Sequence, residues 1–207
     1  MDIQSYIDDL KEENLLVNFD DVSFNVSNIA YDSKKVSKGT LFVCKGAAFK
    51  KQYLEEAIEK GACCYVSEDC HDVNIPQIRV GDIRKAMAVI AGRFYDHPDR
   101  KLTLIGITGT KGKTTTAYYI KAILDRFLLN SGKKPAGILS GIFNYYGEDY
   151  EESSLTTPET FELFEKLSNA AENGLEYLVM EVSSQALKYH RTYGLRFDFA
   201  GYLNLDE

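Results

Sequence analysis

The residues most able to do chemistry lie in Gly106-Ile107-Thr108-Gly109-Thr110-Lys111-Gly112-Lys113-Thr114-Thr115-Thr116. An apolar run precedes them and a helix-forming run follows, which is the setting a phosphate-binding loop requires. Glycines let the backbone curl until successive N–H groups point at one anion, and the start of the following helix adds partial positive charge. Gly109, Thr110, Lys111, Gly112, Lys113, Thr114 and Thr115 are therefore the candidate nucleotide-binding residues. Lys113 is placed to reach the β- and γ-phosphates, and the Thr114 hydroxyl to ligate Mg2+. The strict spelling G-x-x-x-x-G-K-[ST] wants glycine at 107, where isoleucine stands, so the motif is met at Gly112-Lys113-Thr114 and missed by one residue at its front. A glycine-rich turn without a ligand is the alternative, and nucleotide binding is the better reading. Glu181 is a second candidate. It closes an otherwise apolar run through Val179-Met180, and an unpaired carboxylate is costly to bury.

The elements around these residues follow from periodicity. Leu102 to Ile107 reads as a continuous apolar strand of the kind buried in parallel sheets, and Thr114 to Leu129 as a long helix. Ala136 to Leu139, Tyr177 to Val182 and Phe199 to Leu205 read as further strands. Thr157 followed by Pro158 suits an N-cap and first helical position, opening a helix to about Asn173. Upstream, Ile3, Tyr6, Ile7 and Leu10 sit at helical spacing, Val26 to Tyr31 and Thr40 to Val43 read as strands, and Tyr53 to Lys60 as a helix stopped by Gly61. Ala62 to Val66 and Gln77 to Val80 are strands, and Asp82 caps a helix through Phe94. The polar stretch Tyr95 to Arg100 is the seam. The expected class is α/β: a small α/β domain over 1–98, then a P-loop central domain over 99–207 with a mostly parallel sheet and right-handed crossovers.

Composition excludes several classes. The 207 residues carry 24 Lys+Arg against 31 Asp+Glu, a net charge of −7, which argues against a surface built to grip nucleic acid. With 44% hydrophobic residues there is material for a core. No apolar run approaches the roughly 20 residues of a membrane span, and the acidic opening MDIQSYIDDLKEEN is unlike a secretory signal. Cys44, Cys63, Cys64 and Cys70 show neither zinc nor disulfide-framework spacing, so a reduced, cytoplasmic setting is expected.

Gly106 to Thr115, spelling G-x-T-G-T-x-G-K-T-T, resembles the phosphate loop of the Mur ligase family, ATP-dependent amide-bond ligases of bacterial cell-wall synthesis. Four more segments carry the resemblance: Tyr31-Asp32-Ser33-Lys34-Lys35-Val36 with Gly39-Thr40-Leu41-Phe42-Val43, Leu155-Thr156-Thr157-Pro158-Glu159, Met180-Glu181-Val182-Ser183-Ser184-Gln185-Ala186-Leu187 through Arg191, and Phe197-Asp198 to Asn204-Leu205. The middle two are similar to the branch that extends a muramoyl dipeptide to a tripeptide. The resemblance implies ATP and Mg2+ as cofactors, UDP-N-acetylmuramoyl-L-alanyl-D-glutamate and a diamino acid as partners, and a monomeric enzyme. ATP would phosphorylate the D-glutamyl carboxylate, and the diamino acid would attack the acyl phosphate. Lys113 and Glu181 would be catalytic, with Thr114 and Glu181 holding the metal. Ser33 would contact the uridine end, and Thr156, Thr157, Ser183 and Arg191 the muramoyl-peptide portion. Structural alternatives stand beside these: a helix cap for Thr157, a strand end for Ser183, a solvated base for Arg191.

The departures are Lys34 where the family often has arginine, Gly46-Ala47-Ala48-Phe49-Lys50-Lys51 where a polar turn is usual, and Gln185 where many relatives carry histidine. The family's aspartate-histidine metal motif, carbamylated lysine and carboxy-terminal domain have no counterpart among these residues. The expectation is an amino-terminal portion inactive alone, whose central domain stops before its sheet is complete and leaves an apolar edge. A stand-alone nucleotide-binding regulatory or scaffold domain is the alternative.

Overall fold

The computed structural model describes residues 1–46 and 49–205. Ala47 and Ala48, part of the stretch Gly46 to Lys51 that departs from the family pattern, and Asp206 and Glu207 lie outside the described residues. Two compact units are present, Met1–Phe94 and Tyr95–Glu207, each with its own mostly parallel sheet.

In the first unit, α1 (Ile3–Glu12) buries Ile3, Tyr6, Ile7 and Leu10 along one face, and Asp2 caps it by accepting from Gln4 N. The sheet contains β1 (Leu16–Phe19), β2 (Asn28–Ala30), β3 (Thr40–Val43), β4 (Ala62–Ser67) and β5 (Gln77–Val80) in the order β1-β5-β4-β3-β2. All pairings are parallel except β1 with β5. α2 (Lys51–Glu59) packs Leu54 and Ala57 onto Phe42 and Tyr65. The Asp82 carboxylate accepts from Arg84 N and Lys85 N, so it caps α3 (Ile83–Phe94) as its position suggests.

In the second unit, a 3₁₀ turn (Pro98–Lys101) leads into β6 (Thr103–Thr108) and the P-loop helix α4 (Lys113–Asn130). There follow β7 (Gly137–Leu139), β8 (Phe143–Tyr145), β9 (Glu151–Glu152), α5 (Thr160–Glu172), β10 (Tyr177–Glu181), α6 (Ser184–Lys188) and β11 (Phe199–Tyr202). The order is β11-β6-β10-β7-β8-β9, parallel from β11 to β7 and antiparallel through β8 and β9. α4 packs Ala117 on Ile107, Ile138 and Val179, while Leu163, Leu167 and Ala170 of α5 join Leu104, Leu139, Leu178 and Met180. The sheet is thus covered on both faces, as parallel sheets require. The edge strand β11 carries exposed Phe199 and Tyr202.

Two expectations change. The strand expected to run to Leu205 ends at Tyr202, because Asn204 turns to pair with the P-loop backbone. Thr157 is not a helix cap: α5 begins at Thr160 with Glu159 at its N-cap position, and the Thr157 hydroxyl is engaged inside the unit by Glu181 O and Ser183 N. The strands β1, β8 and β9 and the helix α6 lie in stretches where periodicity is too short to announce them.

Gly61 ends α2 one residue past its C-cap at φ 100°, a conformation that favours glycine, and a Cβ there would lie 3.0 Å from the Lys38 Cα. Gly61→Ala is expected to lower unfolding free energy by about 1–3 kcal/mol. Urea denaturation checks this, and an unchanged midpoint would contradict it.

Candidate functional site

The strand β6 delivers the chain to the P-loop. Ile107, at the position where the strict motif has glycine, is 3% exposed and packs beneath α4, so that position belongs to the strand interior. The curl starts at Gly109, where φ is 147° and a Cβ would sit 3.1 Å from Leu203 Cβ and 3.2 Å from Asn204 N and O. Gly112 is the N-cap residue of α4, which puts Lys113, Thr114 and Thr115 in its first turn, where backbone N–H groups lack helical acceptors. The Lys113 ammonium folds back over the loop, donating to Gly109 O at 2.7 Å and Thr110 O at 3.2 Å. An ammonium resting on neutral carbonyls has a stronger partner in a phosphate oxygen.

Glu181 ends β10 beside this loop and is 1% exposed. The Thr114 hydroxyl donates to its Oε2 at 2.9 Å and Gly141 N to its Oε1 at 2.9 Å, so the carboxylate is buried but hydrogen-bonded. Gly141 is aimed by the turn that follows β7. Ser140 Oγ accepts from Ile142 N and Phe143 N at 3.2 Å each and donates to Phe143 O at 2.7 Å, while Asn144 Oδ1 accepts from Ser140 N at 3.2 Å. Asn144 in turn donates to Glu151, which also accepts from Tyr146 OH and Lys166. Burial pushes the Glu151 carboxyl up, but the hydrogen bonds from Lys166, Tyr146 and Asn144 outweigh it and hold the group below its usual range.

On the other side of Glu181, the Thr157 hydroxyl donates to Glu181 O at 2.8 Å and accepts from Ser183 N at 3.0 Å. Ser183 Oγ accepts from Ala186 N at 3.1 Å and so caps α6. Arg191 donates to Thr157 O at 3.0 Å and pairs with Glu159, but its buried Nε has no partner among the described residues. Thr156 flanks Gly141, with its Oγ1 3.3 Å from where a Cβ on that glycine would stand. Lys113, Thr114, Thr156, Thr157, Glu181, Ser183 and Arg191, distant in sequence, therefore meet at the carboxyl ends of β6, β7 and β10, where open α/β sheets place ligands.

Ser33 lies in the first unit, in a 3₁₀ turn (Ser33–Lys35) beyond the carboxyl end of β2. Its hydroxyl donates to Glu56 Oε2 at 2.8 Å and Lys60 donates to its carbonyl at 3.1 Å; hydrogen bonds from Lys60 and Ser33 hold the Glu56 carboxyl low. Lys45 sits 4.2 Å over the Tyr31 ring, and Arg84 Nη2 lies 3.9 Å from where a Cβ on Gly46 would be. Sequence reasoning passed over Lys45, Arg84 and Gly141, since none belongs to a local motif, and met Asn204 only within the segment Phe197-Asp198 to Asn204-Leu205, with no role assigned to it. The four cysteines are free, and no helix among the described residues is long and apolar enough to cross a membrane.

Residues 107–207 match the Mur ligase middle domain. Over 98% of its length the chain is 44% identical to a UDP-N-acetylmuramoyl-L-alanyl-D-glutamate--L-lysine ligase of Streptococcus pneumoniae serotype 2. The chain belongs to the Mur ligase family. It spans 43% of the length of that relative. Among solved structures, a UDP-N-acetylmuramoyl-L-alanyl-D-glutamate--2,6-diaminopimelate ligase superposes with a TM-score of 0.72 at 23% identity, over 88% of this chain and 37% of that one. A Mur ligase of Thermotoga maritima in complex with ADP superposes with a TM-score of 0.50 at 23% identity, over 86% of this chain and 37% of that one. At these identities the likeness is one of fold, and it agrees with the mixed α/β architecture of this Mur ligase chain.

Thr157→Ala leaves Ser183 N without its acceptor and is expected to cost about 1–3 kcal/mol of unfolding free energy, whereas Thr157→Ser keeps the bridge and most of the stability. Equal loss in both variants, by urea denaturation, would contradict the bridging role. Because the Glu151 carboxyl is held low in the fold, its contribution is full above the unfolded carboxyl value, about 4.3, and is lost as pH falls through the lower folded value. Glu151→Gln should therefore flatten the fall in stability as pH drops below about 5; an unchanged slope would refute the assignment.

Proposed function

We propose that this chain provides the nucleotide-binding and UDP-muramoyl-peptide-binding portions of a ligase that joins a diamino acid to UDP-N-acetylmuramoyl-L-alanyl-D-glutamate. L-lysine is the acceptor named for the 44% identical relative, and we assign the diamino class. The observation that supports the reading most is the convergence of Thr114 and the P-loop on the buried Glu181. In this reading ATP transfers its γ-phosphoryl group to the D-glutamyl carboxylate, releasing ADP. The amine of the diamino acid then attacks the acyl carbon, and inorganic phosphate and a proton leave as the amide forms. A carboxylate is a poor electrophile, and the phosphoryl group makes its oxygen a leaving group.

Within that chemistry, Gly109, Thr110, Lys111, Gly112, Lys113, Thr114 and Thr115 surround the nucleotide phosphates. The Lys113 ammonium exchanges the loop carbonyls for phosphate oxygens and offsets the charge gathered where two anions meet. Thr114 Oγ1 and Glu181 Oε2, 2.9 Å apart, are hard oxygen donors suited to Mg2+. No group of three or more His, Cys, Asp and Glu that could hold a metal occurs among the described residues, which suits an ion that takes one or two protein ligands and the rest from phosphates and water. When bound, Mg2+ supplies Lewis-acid neutralisation of the phosphates. Thr156, Thr157, Ser183 and Arg191 hold the muramoyl peptide, with the Arg191 guanidinium suited to a carboxylate or diphosphate oxygen. Ser33 takes the UDP end. The setting proposed is cytoplasmic and the enzyme monomeric.

Calorimetric titration of the chain tests this. MgADP and UDP-N-acetylmuramoyl-L-alanyl-D-glutamate should each bind, and Lys113→Ala should weaken MgADP by about 10- to 100-fold while leaving the muramoyl peptide unaffected. A folded chain that binds neither ligand would overturn the reading. Binding of nucleotide alone would favour a domain without ligase chemistry.

A further inference from the structure

We infer that Asn204 is a positioning residue for the phosphate loop, its carboxamide holding Lys111 so that the first turn of α4 is presented to the nucleotide phosphates. The inference rests on the nucleotide reading above and extends it to a residue just beyond β11. Asn204 Oδ1 accepts from Lys111 N at 3.0 Å, Asn204 Nδ2 donates to Lys111 O at 3.1 Å, and the Asn204 carbonyl accepts from Thr110 N at 3.1 Å. One carboxamide thus meets both polar groups of one backbone residue. Only one orientation of the amide satisfies that arrangement, oxygen facing N–H and nitrogen facing C=O. The preceding residue closes the same contact, since Leu203 Cβ and the Asn204 backbone approach Gly109 so closely that a Cβ there would stand 3.1–3.2 Å away.

The consequence bears on how the loop binds. The N–H groups of Thr110 and Lys111 are directed at Asn204, so the anion-facing donors are those that follow, from Gly112 through Thr115 at the start of α4. A loop rich in glycine has many conformations to lose when it closes on phosphate. Fixing it beforehand through an edge strand removes part of that cost from binding. Asn204 does not need to touch the nucleotide; it acts through Lys111. Asn204→Ala removes both side-chain bonds but leaves the bond from Thr110 N to the residue-204 carbonyl, so the loop loses one anchor rather than its course.

The test pairs MgADP titration calorimetry with amide hydrogen exchange measured by NMR on the ligand-free chain. Asn204→Ala is expected to bind MgADP about 5- to 20-fold more weakly, and its Lys111 amide to exchange faster while the β6 amides keep their protection. Asn204→Asp, which still accepts from Lys111 N but cannot donate to Lys111 O, should restore the Lys111 protection without restoring the affinity. Wild-type affinity in Asn204→Ala, or Lys111 exchange unchanged by it, overturns the inference and leaves the nucleotide reading standing. A wild-type chain that does not bind MgADP overturns the nucleotide reading, and this inference with it. If Asn204→Ala fails to fold, Asn204→Asp carries the test: faster Lys111 exchange in that variant contradicts the clamp.

Discussion

A buried carboxylate must be hydrogen-bonded or neutralised, and in this chain that requirement falls on Glu181. Its two oxygens are held by the Thr114 hydroxyl and the Gly141 N–H, and its own carbonyl by Thr157. Those three contacts draw the P-loop, the turn after β7 and the segment before α5 onto the end of β10. The parallel pairing of β10 with β6 and β7 sets the three ends side by side, and the packing of α4 and α5 on opposite faces of the sheet keeps them there.

The same contacts divide the labour around the site. Toward the loop, Glu181 and Thr114 are oxygen donors beside a lysine whose ammonium rests on two loop carbonyls, a cationic and hard-ligand environment suited to a nucleotide with its metal ion. Away from the loop, Thr157 is the hub: its hydroxyl donates to Glu181 O and accepts from Ser183 N, and its carbonyl accepts from the Arg191 guanidinium. Glu181 is the residue that both halves contact. The β8–β9 hairpin contributes at one remove, because Glu151 orients Asn144, Asn144 the Ser140 turn, and that turn the Gly141 N–H.

Much of this was legible in the sequence. The apolar run before Gly109 and the Gly112-Lys113-Thr114 triplet announce a strand, a loop and a helix by local pattern alone, and the parallel class follows from alternation. What was hidden depends on partners far along the chain. Thr157 before Pro158 has a sound local reading as a cap, but its hydroxyl answers to Glu181, 24 residues on. Asn204 looks like the tail of a strand, but its amide pairs with Lys111 across 93 residues. Gly141 acts through a backbone N–H, which leaves no trace in side-chain identity. The short strands β8 and β9 have too few residues for a period to register.

The most direct measurement of whether the P-loop and Glu181 form a nucleotide site is the backbone amide spectrum of the labelled chain as MgADP is added. Shifts confined to residues 109–115, Gly141, Glu181 and the adjoining ends of β6 and β10 are the predicted result. Unshifted P-loop amides at saturating MgADP, or shifts centred on the first unit, would contradict it.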